Sequence, residues 1–98
     1  MKLKILPDAF RDLQEGAAFF ERQQIGLGDY FQDAIFHDID QLENIAGIHS
    51  VHFGYFRMLG SIFTTFGIYY KIEGESVFVW RILDLRQDFE LIESALSR

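Results

Sequence analysis

A chain of 98 residues has room for one domain, here taken as 1–98, and none for a second module, since a fold of this size buries only about two-thirds of its unfolded surface. Apolar residues at 49%, with 11 Phe among them, exclude a disordered segment, and a formal charge of −6 excludes nucleic-acid binding that relies on an overall basic surface. The absence of Cys excludes a disulfide framework and a thiolate nucleophile and fits a reducing, cytoplasmic setting.

Leu3, Ile5 and Leu6 form a short extended segment that Pro7 ends, because proline disfavours a helical residue before itself and suits a helix's first turn. The segment is also too short for the apolar core of a signal peptide, and no run approaches the roughly 18 apolar residues that span a bilayer. From Pro7 or Asp8 the spacing of Phe10, Leu13, Ala17 and Phe20 predicts an amphipathic helix, with Gly16 as a site of close packing against the next one. Gly26 and Gly28 supply the positive φ of a tight reversal, and Asp29 favours the start of the second helix. That helix carries Phe31, Ile35, Ile39, Leu42 and Ala46 on one stripe, leaves Asp33, Asp38, Asp40 and Glu43 mostly off it, and stops at Gly47.

After Gly47 the period becomes two. Val51–Leu59 is expected as one strand closed by Gly60-Ser61, and the alternation from Ile62 to Ile72 as a second, long one. Gly74-Glu75 turns it into an antiparallel partner, Val77–Leu83, apolar on both faces and so interior to the sheet. A short helix from Asp88, with Leu91, Ile92, Ala95 and Leu96, ends the chain. The fold class is α+β: a helical hairpin packed in two layers on an antiparallel sheet, in the order β-α-α-β-β-β-α, with the first strand at an edge.

His49 and His52 are three apart, but zinc needs three or four ligands and no Cys completes a set, so no metal or other cofactor is expected. The residues with chemical potential are the arginines of the strand region, Arg57, Arg81 and Arg86. A metal-free ribonuclease uses cations to stabilise charge on a scissile phosphate and a Tyr, His, Lys or Glu to move protons, and His52, Tyr55, Tyr69 and Tyr70 are the candidates for the second role. Against this stands a structural role, strongest for Arg81, which follows Trp80 in an apolar run and suits pairing with an Asp or stacking on a ring.

The sequence resembles the RelE/ParE toxins of type II toxin–antitoxin modules, in the ParE-like branch. The likeness rests on the helix ending Gln23-Gln24-Ile25-Gly26-Leu27-Gly28, on Asp29-Tyr30-Phe31 opening the second, on Tyr55-Phe56-Arg57, on Phe66-Gly67-Ile68-Tyr69-Tyr70-Lys71-Ile72, and on Ile82-Leu83-Asp84-Leu85-Arg86-Gln87-Asp88. It implies the fold above and a toxin neutralised by a cognate antitoxin. Departures select among mechanisms. Gly67 stands where ribosome-dependent members carry an arginine, Gln87 where a second arginine is usual, and no Tyr follows Tyr70. The incomplete ribonuclease set and the negative charge favour a toxin that binds DNA gyrase, needs no active site, and uses Arg57, Arg81 and Arg86 to meet its target or antitoxin. RNA or a ribosome as target, with a divergent nuclease site around Arg57 and Arg86, is the alternative, as is a non-toxic interaction domain that keeps the fold. A homodimer or a toxin–antitoxin hetero-oligomer is the expected assembly.

Overall fold

Pro7 sets the start of the first helix, since it stands at the position where a missing N–H costs nothing. The computed structural model describes residues 1–97 and runs β1 (Lys2–Ile5), α1 (Pro7–Gln23), α2 (Leu27–Ile45), β2 (Val51–His52), β3 (Tyr55–Leu59), β4 (Phe66–Glu73), β5 (Ser76–Asp84) and α3 (Phe89–Leu96). The five strands lie in the order β1-β5-β4-β3-β2. The expected order of elements holds, with the second strand split in two.

Gly26, at φ 90°, makes the reversal between the helices. Gly28 does not share that role. It is the second residue of α2 and is buried, and a Cβ there would stand 2.6 Å from the Ala17 carbonyl oxygen, so its smallness lets the two backbones touch. Gly16 works likewise, one face of it filled by the Phe31 ring, 2.7 Å from where a Cβ would be. The carboxylate of Glu21 accepts the Gly26 N–H at 3.0 Å and the Gly28 N–H at 3.0 Å, satisfying amides that the start of α2 leaves without partners. Along α2, Phe31, Ile35, Ile39 and Leu42 are buried as the stripe predicts. On α1 the stripe is displaced: Ala9 and Leu13 are buried while Phe10 is 43% exposed.

The helix pair covers one face of the sheet, meeting Met58, Phe66, Ile68, Tyr70, Val77, Val79 and Ile82 in a single core. At its end Phe20, Phe31, Phe63 and Phe66 pack ring against ring, with centroids 4.9 to 6.1 Å apart. The opposite face is not left open, as a two-layer sandwich would have it. α3 crosses it, and Tyr55, Tyr69, Leu83, Ile92 and Leu96 form a second, smaller core there.

Several expectations need correction. The sheet is mixed, because β1 pairs in parallel with β5 while all other pairs are antiparallel; a pairing across some seventy residues has no turn to announce its direction. Val51–Leu59 is a tight hairpin, reversed at Phe53 (φ 56°) and Gly54 (φ 83°), the two consecutive positive φ values of a hairpin turn. β4 begins at Phe66, four residues after Ile62, because Ser61 is bound by Asp38 and Phe63 turns inward to the aromatic cluster. Asp38 is therefore buried, accepting the Ser61 N–H at 2.9 Å and the Ser61 hydroxyl at 2.6 Å.

Gly28→Ala tests the backbone contact. The change would favour an isolated helix by about 1 kcal/mol, yet the folded chain is expected to lose about 1–3 kcal/mol, read as a lower urea midpoint at unchanged m-value, because a carbonyl rather than a mobile side chain fills the space.

Candidate functional site on the third-helix face

The strand arginines stand on the face that α3 crosses. Arg57 on β3 pairs in register with Tyr69 on β4, and Tyr69 with Arg81 on β5, so the three form one row across the sheet. With strands about 4.8 Å apart, the two arginine backbones are separated by roughly 10 Å. Arg81 joins this row through a bulge, in which the register slips between Tyr69 and Tyr70 and Trp80 becomes the extra residue.

The row does not converge on a common point. Arg81 turns to the free edge of β5 beyond the end of β1. There its Nε and Nη2 donate to the two oxygens of Asp12 at 2.7 and 2.9 Å, and its Nη1 donates to the Ala95 carbonyl of α3 at 2.9 Å. Asp12 also accepts the Ile82 N–H at 3.0 Å. The two side chains are 15% and 8% exposed. Each of the three nitrogens of this guanidinium donates to the protein itself, the structural role that the sequence set against a binding one.

Arg86 lies after β5 in the turn leading to α3 and is exposed, and its guanidinium grips Asp84 at 2.7 and 3.0 Å, holding that carboxyl below its usual range. Arg57 alone of the three has no carboxylate within ion-pairing distance among the described residues. Its stem lies over Gly67, where a Cβ would stand 3.2 Å from Cγ and Cδ, and its Nε is buried without a hydrogen-bond partner. Gly67 is thus what gives Arg57 its path.

The proton-transfer candidates are scattered in the same way. Tyr69 is buried in the α3 core, and Tyr55 donates to the Leu96 carbonyl at 2.9 Å. Tyr70 faces the helices, where its hydroxyl accepts the Gly47 N–H at 2.9 Å and meets His49 Nδ1, a bond that holds α2's end to the sheet. Only His52 stays near Arg57. Its Nε2 is 2.9 Å from the Ser50 hydroxyl, and burial first, then the Arg57 charge, lower its pKa from 6.5. Sequence reasoning missed Asp12, Ser50 and the placement of Lys71, whose ammonium lies 4.6 Å from the Tyr55 ring and 5.1 Å from that of Trp80. For Lys71 a signal existed, since it shares strand parity with Tyr69. For Asp12 there was none. No group of three His, Asp or Glu side chains among the described residues is placed to hold a metal ion.

No protein-family model and no curated protein matches the sequence. Among solved structures, one described as "Chromosomal ParDE TA system from P. aeruginosa" aligns with a TM-score of 0.79 at 18% identity, over 88% of this chain and 97% of that chain. The chain therefore shares the fold of that structure, the architecture that the glycine turn and strand residues imply.

Two outcomes follow from this geometry. Asp12→Ala strands a mostly buried guanidinium and is expected to cost about 3–5 kcal/mol in chemical denaturation, a large part of the stability of a small domain. His49, whose pKa burial lowers, accepts from Tyr70 while neutral, so its contribution is complete above the unfolded value of 6.5 and is lost as pH falls through its lower folded value. Thermal melts from pH 7.5 to 5 should therefore show a decline in Tm that His49→Gln reduces.

Proposed function

We propose that this chain is the toxin of a type II toxin–antitoxin module, held inactive by a cognate antitoxin and acting by binding a protein target, DNA gyrase, rather than by cutting RNA. The observation that carries this reading is the likeness, over most of both chains, to the structure described as a ParDE TA system. The site supports binding over cleavage. Nuclease chemistry on a phosphate needs cations and a proton carrier around one point. Here Arg81 is consumed by Asp12, Arg86 is engaged by Asp84, and Tyr55, Tyr69 and Tyr70 each point elsewhere. The charge of −6 opposes an RNA substrate as well.

Exposed apolar side chains support a protein partner. Phe53 and Phe89 face each other at 5.2 Å on the α3 face, and Val51, Leu59, Ile62 and Leu91 are also exposed. An antitoxin segment that folds on contact would cover such a surface. We place Arg57 and Arg86 at that contact and assign Arg81 to holding the fold. No described helix is long and apolar enough to cross a membrane, which agrees with a partner met in solution.

Expression without the neighbouring reading frame is expected to arrest growth, and co-expression of the neighbour to restore it. Purified chain should then inhibit gyrase supercoiling and leave mRNA on translating ribosomes intact. Growth arrest with cleaved mRNA would select the nuclease alternative, and unchanged growth would leave a non-toxic interaction domain.

A further inference from the structure

The β2–β3 hairpin brings together three side chains that nothing above assigns as a unit. The Arg57 N–H donates to the Ser50 carbonyl at 3.0 Å, one step beyond the Val51–Phe56 and His52–Tyr55 pairs. Alternation along the strands then puts Ser50, His52 and Arg57 on one face. We propose that Ser50, His52 and Arg57 form a receptor for a carboxylate presented by a protein partner. The proposal deepens the reading above, since it rests on a protein covering this face.

Arg57 Nε is the buried side-chain polar atom without a partner among the described residues. Closed to solvent, that atom is out of a partner's reach, but the terminal nitrogens of the same guanidinium make no hydrogen bond to the described residues, and a guanidinium is satisfied best by the planar fork of a carboxylate. The described residues supply one to Arg81 and to Arg86 and none to Arg57. The side chain is nonetheless directed, because its stem is seated over Gly67. Ser50 Oγ and His52 Nε2, 2.9 Å apart, add a hydroxyl donor and a ring nitrogen beside it.

Phosphate of a nucleic acid would use the same donors, but the surroundings oppose it. A nucleic-acid strand needs several cations along its path, and in the row Arg57–Tyr69–Arg81 only one is free. The flanks are apolar, with Phe53, Phe89 and Leu59 exposed, and a polypeptide supplies apolar groups and carboxylates together.

A bound carboxylate would also change His52. Arg57 faces this ring from β3 beside Tyr55, with Lys71 from β4 and Glu93 from α3 beyond Tyr55. Burial and the Arg57 charge lower the pKa of the ring when the site is empty. An anion on Arg57 offsets that repulsion, so binding takes up a proton at His52 and tightens as pH falls.

The test uses the full chain and three probes: a blocked hexapeptide of alternating Val and Glu, the same peptide with Gln for Glu, and a single-stranded RNA hexamer. Binding is followed by the ¹H–¹⁵N NMR resonance of Arg57 Nε–Hε. The Glu peptide should shift this resonance and the Gln peptide should not. Arg57→Gln should weaken binding about tenfold or more and Arg86→Gln less than about twofold, since only the first removes the unpaired fork. Affinity should rise about threefold between pH 7.5 and 6.0, and His52→Ala should abolish that rise. Equal binding of the Gln peptide, preference for RNA, a flat pH profile, or an unmoved Arg57 resonance would each overturn the proposal, the last without any variant having to fold. None of these readouts involves growth or gyrase, so the receptor can fail while the toxin reading stands, and the reverse.

Discussion

The ion pair between Arg81 and Asp12 is the constraint on which the arrangement of layers depends. β1 covers the edge of β5 only as far as Val79, and beyond it the strand would present bare backbone groups to solvent. Asp12 reaches round from α1 and takes the Ile82 N–H in place of a neighbouring strand, while Arg81 returns from the other face to bind both that carboxylate and the end of α3. One pair thus joins the helical hairpin, the sheet edge and the third helix. A pair this deeply placed contributes little net free energy compared with apolar packing. What it contributes is uniqueness, because neither partner has another way to be satisfied.

The helical hairpin transmits its own geometry to the site in a second way. Gly16 and Gly28 let α1 and α2 approach until the Phe31 ring and the Ala17 carbonyl fill the spaces where their Cβ atoms would be. That approach directs Phe31 toward Phe20, Phe63 and Phe66, and the cluster holds Phe63 inward while Asp38 binds Ser61. The connection before β4 is thereby tied to the helices. β4 carries Gly67 and Tyr69, the two residues that shape the path and the register of Arg57.

The acidic balance of the chain therefore conceals a division of labour among its cations. Arg81 and Arg86 are neutralised within the fold, and Lys71 is held between two rings. Arg57 has no counter-charge among the described residues and stands beside a histidine whose pKa burial and the guanidinium lower. The Arg57 charge sits beside exposed aromatic side chains, Phe53 and Phe89.

Local chemistry in the sequence determined the elements. Pro7, Gly26, Gly47 and Gly74 punctuate the chain, and the change of period after Gly47 separates helices from strands, because burial of one helical stripe or one strand face imposes those spacings wherever the chain folds. It determined less where the local pattern was ambiguous. Val51–Leu59 reads as one strand until Phe53 and Gly54 adopt positive φ, and the alternation at Ile62–Thr65 is overridden by Asp38 and the Phe cluster. Tertiary structure alone decided the parallel seat of β1, the burial of Asp38 and the fates of the three arginines. The carboxylate that claims Arg81 lies 69 positions away, and the absence of one beside Arg57 is a property of the surrounding space. Periodicity records which side of an element is buried; it holds no record of what stands opposite.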